Sequence, residues 1–201
     1  MAALDEVTVG DDPVAFFTQW FIEAQKAELS EVNAMTLATV NADNIPHARV
    51  VLLKGLEGEE FVFYTNYDSA KGRDIAANPN VCLMFFWKEL ERQVRIQGIA
   101  GKIAAEKSDE YFHSRPDGGK IGAWTSPQSS VIPDRNVLDE RYLQYEKEFA
   151  NKRIPRPEHW GGYGVKPVSI EFWQGRISRL HDRILFKKNE EGVWKKMRLA
   201  P

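Results

Sequence analysis

Hydrophobic and polar positions divide the chain into a helical opening, a long run of strands, a helical middle and a closing group of strands. Val14, Phe17, Phe21 and Ala24 recur at the spacing of one helix face. Asp11 and Asp12 offer side-chain acceptors to the free N–H groups of the first turn, and Pro13 suits the first helical position because an N–H there would have no partner. After Leu29 the period shortens to runs rich in Val, Ile, Thr and Phe. They predict strands over Ala34–Val40, His47–Lys54, Glu60–Thr65, Val81–Trp87 and Arg92–Gly101. Turn residues fill Asn41–Asn44 and Gly55–Gly58, and Ser69–Asn78 reads as a short helix closed by Pro79. Helices over Glu106–His113 and Asp134–Ala150 follow, and the proline-rich Ile154–Pro157 leads to strands over Val168–Gln174, Arg179–Lys187 and Val193–Leu199. Strands at both ends with helices inserted predict a mainly β, α+β fold, a closed antiparallel barrel carrying helices. We expect one domain over residues 1–201, with 1–11 as a flexible N-terminal segment.

Composition narrows the function. With 201 residues, 43% of them hydrophobic and 28% charged, the chain can bury a core, which excludes a disordered protein. The longest apolar run, Val81–Trp87, is far short of the roughly 20 residues that span a bilayer. A net charge of -2, from 27 basic and 29 acidic residues, gives no overall field for nucleic acid. Any bound anion must therefore be held by local clusters. The single Cys82 lies in an apolar run, as a core thiol in a reducing compartment would, and Met1–Gly10 shows no basic, apolar leader. A cytoplasmic protein is expected. His47, His113, His159 and His181 have no metal-ligand spacing, and neither a nucleophile elbow nor a Walker loop is present.

Five clusters carry candidate chemistry. Arg49-Val-Val-Leu-Leu-Lys54 reads as a strand buried on both faces with a cation at each end, which either reaches solvent or points at anions near a barrel rim. In Tyr64-Thr65-Asn66 followed by Ser69-Ala-Lys71-Gly72, a strand runs into a helix whose first turn carries a lysine. That geometry suits a phosphate, and equally an ordinary capped helix. Strand alternation puts Gln93, Arg95 and Gln97 on one face, and an amide such as Gln93 can both donate to and accept from a heteroaromatic ring. The segment Tyr111–Pro116, Ile121–Trp124 and Gln128–Ser130 crowds aromatic, hydroxyl and charged groups around Gly and Pro. In Arg179-Leu-His-Asp-Arg183 a strand would project Arg179, His181 and Arg183 together, which calls for an anion between them or for pairing with Asp182 and Glu171.

In order and spacing these runs resemble the pyridoxine/pyridoxamine 5'-phosphate oxidase family. The matching stretches include RVVLLK at 49–54, FYTN at 63–66, RQVR at 92–95, YFHSRP at 111–116, WGGY at 160–163, EFWQG at 171–175, RLHDR at 179–183 and RLAP at 198–201. The resemblance implies an FMN-binding antiparallel split barrel, working as a homodimer with FMN at the subunit interface. It implies oxidation of pyridoxine 5'-phosphate or pyridoxamine 5'-phosphate to pyridoxal 5'-phosphate by O2, with H2O2 released. It also implies a cofactor site of Arg49, Val50, Leu52, Lys54, Tyr64, Thr65, Lys71, Gln93, Gln128, Ser129, Trp173 and Arg183. The substrate site would comprise Lys54, Tyr111, Arg115, Gly119, Arg179, Leu180 and His181, with Arg179 and His181 against the reacting ring. A non-catalytic FMN or pyridoxal-phosphate carrier on the same barrel is the alternative. The chain departs from the family pattern at Ala70, where an arginine often adds to the phosphate contact, and at Gly119, where a serine is common. It also lacks the basic, tyrosine-containing N-terminal arm of some members.

Overall fold

The computed structural model describes residues 4–27 and 30–201. The first helix, α1 (Pro13–Lys26), starts where the Asp12 carboxylate accepts the N–H groups of Val14 and Ala15. It presses an aromatic face into the barrel, with Phe17 against Phe61 and Phe85, and Phe16 and Trp20 against Phe172. Burying such rings contributes roughly 1.5–3 kcal/mol each.

Nine antiparallel strands follow: β1 (Ala34–Val40), β2 (Pro46–Leu52), β3 (Gly55–Glu57), β4 (Glu60–Asn66), β5 (Asn80–Trp87), β6 (Arg92–Lys102), β7 (Trp160–Gln174), β8 (Asp182–Lys188) and β9 (Trp194–Leu199). Their order is β2-β1-β5-β6-β7-β4-β3, with β8 and β9 continuing from β7. One edge of β7 pairs with β6; the other is shared, residues 160–165 pairing with β4 and 169–174 with β8. At Leu53–Lys54 the chain changes partners. The Leu53 N–H donates to the Asn33 carbonyl beside β1, and the Lys54 N–H to the Val62 carbonyl of β4. That corner turns the sheet back on itself and closes the barrel. A bulge at Gln97–Gly98 bends β6 against β7, and a Cβ at Gly98 would lie 2.5 Å from the Lys166 carbonyl oxygen, so the position needs glycine. Helix α2 (Ala70–Ala77) lies near β1. Helices α3 (Ala105–Ser114), α4 (Asp117–Thr125) and α5 (Asn136–Glu148) cover a second, smaller core of Phe112, Ile121, Ile154 and Trp160. Among the described residues no helix is long and apolar enough to cross a membrane.

The antiparallel barrel with helices agrees with the sequence reading, and several local expectations do not hold. Strand β3 lies inside the expected Gly55–Gly58 turn. Helix α4 was not anticipated, because Gly118, Gly119 and Gly122 break up its apolar period. Strand β7 begins at Trp160 instead of Val168, its glycines having read as loop. Strand β2 alternates instead of being buried on both faces, and Val50 is 68% exposed. Cys82 is half-buried on the outer face rather than in the core. Residues 177–179 form a 3-10 turn with Ser178 and Arg179 at φ of 59° and 60°, and β8 starts only at Asp182. Arg179, His181 and Arg183 therefore do not share the face of one strand. Residues 4–11, expected to be flexible, are packed in place with Leu4 and Val9 buried; residues 1–3 lie outside the described part.

Candidate functional site

The corner between β2 and β4 opens a cavity of about 450 Å³ walled by Val50, Val51, Leu52, Lys54, Tyr64, Thr65, Asn66, Lys71, Tyr111, Arg115, Gln128 and Trp160. Lys54 sits here because its N–H makes the closing bond to β4. Lys71 occupies the first turn of α2, which Ser69 caps by accepting the Gly72 N–H. A Cβ at Gly72 would fall 1.9 Å from the Tyr67 carbonyl oxygen, so only glycine lets this turn press against the end of β4. The Lys71 ammonium donates to Thr65 Oγ1 at 3.2 Å, Ser69 Oγ at 3.3 Å and Gln128 Oε1 at 3.0 Å, all neutral acceptors. Burial pushes its pKa down, and the charge of Arg49 adds to the effect.

Arg49 lies beside this cavity, on the inner face of β2, and is not in its wall. It donates to Thr39 Oγ1 at 2.5 Å and to the Leu37 carbonyl at 3.3 Å, and its Nη2 is 3.5 Å from Asp74 Oδ2. Asp74 also accepts from Thr39 at 2.6 Å and lies 3.0 Å from His47 Nδ1. Burial raises the Asp74 pKa, but the bonds from Thr39 and His47 with the charge of Arg49 outweigh it and hold the carboxyl below its usual range. Sequence patterns gave no hint of Asp74, which reads as one more polar position of a short helix.

Across the cavity, the Arg115 guanidinium covers the Trp160 ring at 4.7 Å, and its Nη1 is fully buried with no hydrogen-bond partner. It is the one such side-chain atom among the described residues. An orphaned buried donor costs about 1–3 kcal/mol, more for a charged group, so its presence points to a ligand that satisfies it. Burial lowers the Arg115 pKa, opposed by Tyr111. Gly119 leaves room for this pose: a Cβ there would lie 3.3 Å from Arg115 Nη2. Tyr64 stacks on Tyr111 at 3.9 Å and 13°, and its phenol, pushed up to about 12 by burial and then by nearby acids such as Glu57, stays protonated. Trp160, unassigned by the sequence, completes this stack. Ser129 follows Gln128 in an exposed, left-handed turn at φ 70°.

The remaining predicted residues lie elsewhere. Gln93, Trp173 and Arg183 are direct cross-strand partners on β6, β7 and β8 and form one row on the outer face. Below it, Glu171, 3% exposed, accepts from Arg183 Nε at 2.9 Å and pairs with Arg95. Pairing of Arg183 with Glu171 is thus the ordinary ion pair that the sequence left open. The His181 ring lies 4.6 Å from the Trp173 ring. Its Nδ1 accepts the Arg176 N–H at 3.1 Å, so the neutral ring carries its proton on Nε2. Arg179 is exposed and has no acid partner among the described residues, and Leu180 is 70% exposed. Strand β7 reaches the cavity only at its start, where Trp160 pairs with β4, and Trp173 lies near the opposite end of the same strand. The cavity wall includes none of Gln93, Trp173, Arg179, His181 or Arg183.

These features define a class: antiparallel split barrels with cations free for anionic ligands at the closing corner and an aromatic–amide row on the outer wall. The fold recurs in PhzG from Burkholderia lata in complex with tetrahydrophenazine-1-carboxylic acid, with a TM-score of 0.92, 25% identity and coverage of 100% of this chain and 98% of that one. It recurs also in a pyridoxamine 5'-phosphate oxidase-related, FMN binding protein from Nostoc punctiforme, with a TM-score of 0.75, 16% identity and coverage of 94% and 98%. Residues 21–146 match the family described as pyridoxamine 5'-phosphate oxidase, and 160–201 the pyridoxine 5'-phosphate oxidase C-terminal dimerisation region. A pyridoxine/pyridoxamine 5'-phosphate oxidase of Leptospira interrogans is 56% identical over 201 residues, covering 100% of this chain and 94% of that protein. One from Cupriavidus pinatubonensis is 52% identical over the same coverage. The chain belongs to the pyridoxamine 5'-phosphate oxidase family.

Proposed function

We propose that this protein is an FMN-dependent oxidase that converts pyridoxine 5'-phosphate or pyridoxamine 5'-phosphate to pyridoxal 5'-phosphate. The carrying observation is the buried Nη1 of Arg115, unpartnered among the described residues, in a cavity that also holds Lys54 and Lys71 without acid partners among those residues. The partly buried Lys71 and Arg115 beside the exposed Lys54 fit phosphate monoesters, which accept several charge-assisted bonds. The donor set also fits FMN: Lys71, Thr65 and the neighbouring Arg49 suit its phosphate, and Val50, Leu52, Tyr64, Gln128 and Ser129 the space beside it. Gln93, Trp173 and Arg183 suit a heteroaromatic ring.

Bound FMN supplies a two-electron acceptor that O2 restores, so that one O2 becomes one H2O2 for each substrate oxidised; the amine substrate also takes up water and releases ammonia. The protein's part is to bind and orient. Lys54, Tyr111 and Arg115 hold the substrate phosphate, with Gly119 giving Arg115 its space. Arg179, Leu180 and His181 lie against the pyridine ring, where His181 offers an Nε2 proton as a hydrogen-bond donor. Holding both rings in a fixed pose reduces the entropic barrier to reaction.

A single chain keeps the two halves of this site apart, and a homodimer can bring the β6–β8 row of one subunit to the corner cavity of its partner. The exposed Val50, Phe86, Val168 and Met197 on the outer sheet give such an interface apolar area. FMN then lies at the subunit interface. A reducing cytoplasm suits the free Cys82.

Purified protein should carry a flavin spectrum that bleaches when pyridoxine 5'-phosphate is added without oxygen. In air it should yield aldehyde and peroxide in equal amounts. A spectrum that never bleaches, with no peroxide, would support a carrier and end the oxidase reading.

A further inference from the structure

We propose that the N-terminal segment 4–11 is a brace that sets the loop carrying Arg179 and His181, through a continuous chain of charge pairs Glu6–Arg198–Asp182–Arg176. The proposal rests on the reading above that this loop faces the substrate. Arg198 on β9 holds Glu6 with two bonds, Nε to Oε1 and Nη2 to Oε2, both 2.8 Å. Its Nη1 donates to Asp182 Oδ1 at 3.0 Å. The other oxygen of Asp182 accepts from Arg176 Nε at 2.6 Å. Arg176 in turn gives its backbone N–H to His181 Nδ1 at 3.1 Å. Every link joins the next residue through a different atom, so the order of the segment reaches the imidazole without a gap.

The loop requires such support. Ser178 and Arg179 are consecutive non-glycine residues in the left-handed region, a conformation that side chains resist and that persists only where the surroundings impose it. No regular strand pairing holds residues 175–181, and Ile177 is 91% exposed. Arg176 is tied at its backbone to His181 and at its guanidinium to Asp182, which cross-links the two ends of the loop. The segment is itself well anchored. Leu4 and Val9 are buried, and Lys196 on β9 donates to the carbonyls of Glu6 at 2.6 Å and Gly10 at 2.8 Å. Burial pushes the Asp182 pKa up, but the bonds from Arg176 and Arg198 outweigh it, so the middle link stays ionised at neutral pH. Fixing His181 Nδ1 as an acceptor also fixes which ring nitrogen presents a proton, which makes Glu6 and Arg198 positioning residues for an imidazole they do not touch.

The test uses the FMN-loaded, full-length enzyme and pyridoxine 5'-phosphate. Glu6→Ala and Arg198→Ala should each lower kcat/KM about 10- to 100-fold, as loss of alignment at a reacting centre does. FMN content and dimer mass should be unchanged. The double variant should fall no further than Arg198→Ala alone, because both break one chain. Nitrogen NMR of labelled histidine should show the His181 Nδ1 signal leave its single acceptor state in Glu6→Ala, a change that loss of stability elsewhere would not cause. Unchanged kcat/KM in Glu6→Ala would overturn the brace, as would a fall that tracks loss of FMN or additive effects in the double variant. Arg179→Ala and His181→Ala are assayed alongside. If both keep full activity, the site reading fails; if they lose it while Glu6→Ala does not, only the brace fails.

Discussion

At the corner between β2 and β4, Lys54, Lys71 and Arg115 have no carboxylate partner among the described residues. On the outer row of β6 to β8, Arg95 and Arg183 share the buried Glu171, and Arg176 and Arg198 share Asp182. The two regions thus treat positive charge in opposite ways. In the corner, burial lowers the pKa values of Lys71 and Arg115 and leaves an Arg115 donor unsatisfied, a cost that a dianionic ligand would remove. On the row, each of these arginines is bonded to a carboxylate, which holds its side chain in place. Such a surface suits the flat, weakly charged part of a ligand and the face of another subunit. On the proposed reading, one region supplies binding energy and the other supplies geometry.

The largest effect should come from breaking the ion-paired region. Glu171→Ala strips the acid from Arg95 and Arg183, and removing one partner of a buried pair costs about 3–5 kcal/mol. Both arginines are partly exposed and can rehydrate, which places the cost near the lower figure. For a chain of this size we expect a fall in Tm of about 6–12 °C by calorimetry. A variant that melts with the wild type would show that the acid does not organise the row. Arg115→Ala probes the ligand-ready region, and here stability should hold while binding suffers. Loss of a charge-assisted bond of about 1.5–3 kcal/mol predicts a kcat/KM for pyridoxine 5'-phosphate roughly 10- to 150-fold lower. Unphosphorylated pyridoxine, assayed in parallel, should be turned over equally by variant and wild type. An equal loss on both compounds would remove Arg115 from the phosphate site.

The barrel was legible because its inner residues alternate strictly. Leu83, Phe85, Val94 and Ile96 are fully buried while their neighbours face out, a period that survives any tertiary detail. The corner cavity was legible in part, since Lys54 ends a strand and Lys71 opens a capped helix, both local signals. What stayed hidden depends on distant partners. Asp74 beside Arg49, Trp160 beneath Arg115 and the bond from Arg198 to Glu6 join residues far apart in sequence. The Arg179–His181 turn misled for a different reason: its residue types alternate as a strand would, while β8 pairs with β7 only from Asp182. The halves of the site also lie on different parts of the sheet, and a pattern along one chain carries no signal about which surfaces meet.

The smallest effect concerns Ala70, beside Lys71 at the start of α2. If the corner keeps cations unpaired for the sake of a phosphate, adding one should help the loaded protein and harm the empty one. Ala70→Arg places a third positive charge near Arg49 and Lys71. It also sets a cation against the positive end of the α2 dipole, which costs about 0.3–1 kcal/mol. Without FMN the variant should therefore melt slightly lower, by a few degrees at most. With FMN present, one added charge-assisted bond at the low end of its range, about 1.5 kcal/mol, should lower the Kd about tenfold in a flavin-fluorescence titration. The opposite signs are the informative part, because a substitution acting only through helix propensity would shift both states in the same direction. An FMN affinity equal to that of the wild type would place the cofactor phosphate away from the α2 terminus and leave Arg49 and Lys71 without the role assigned to them.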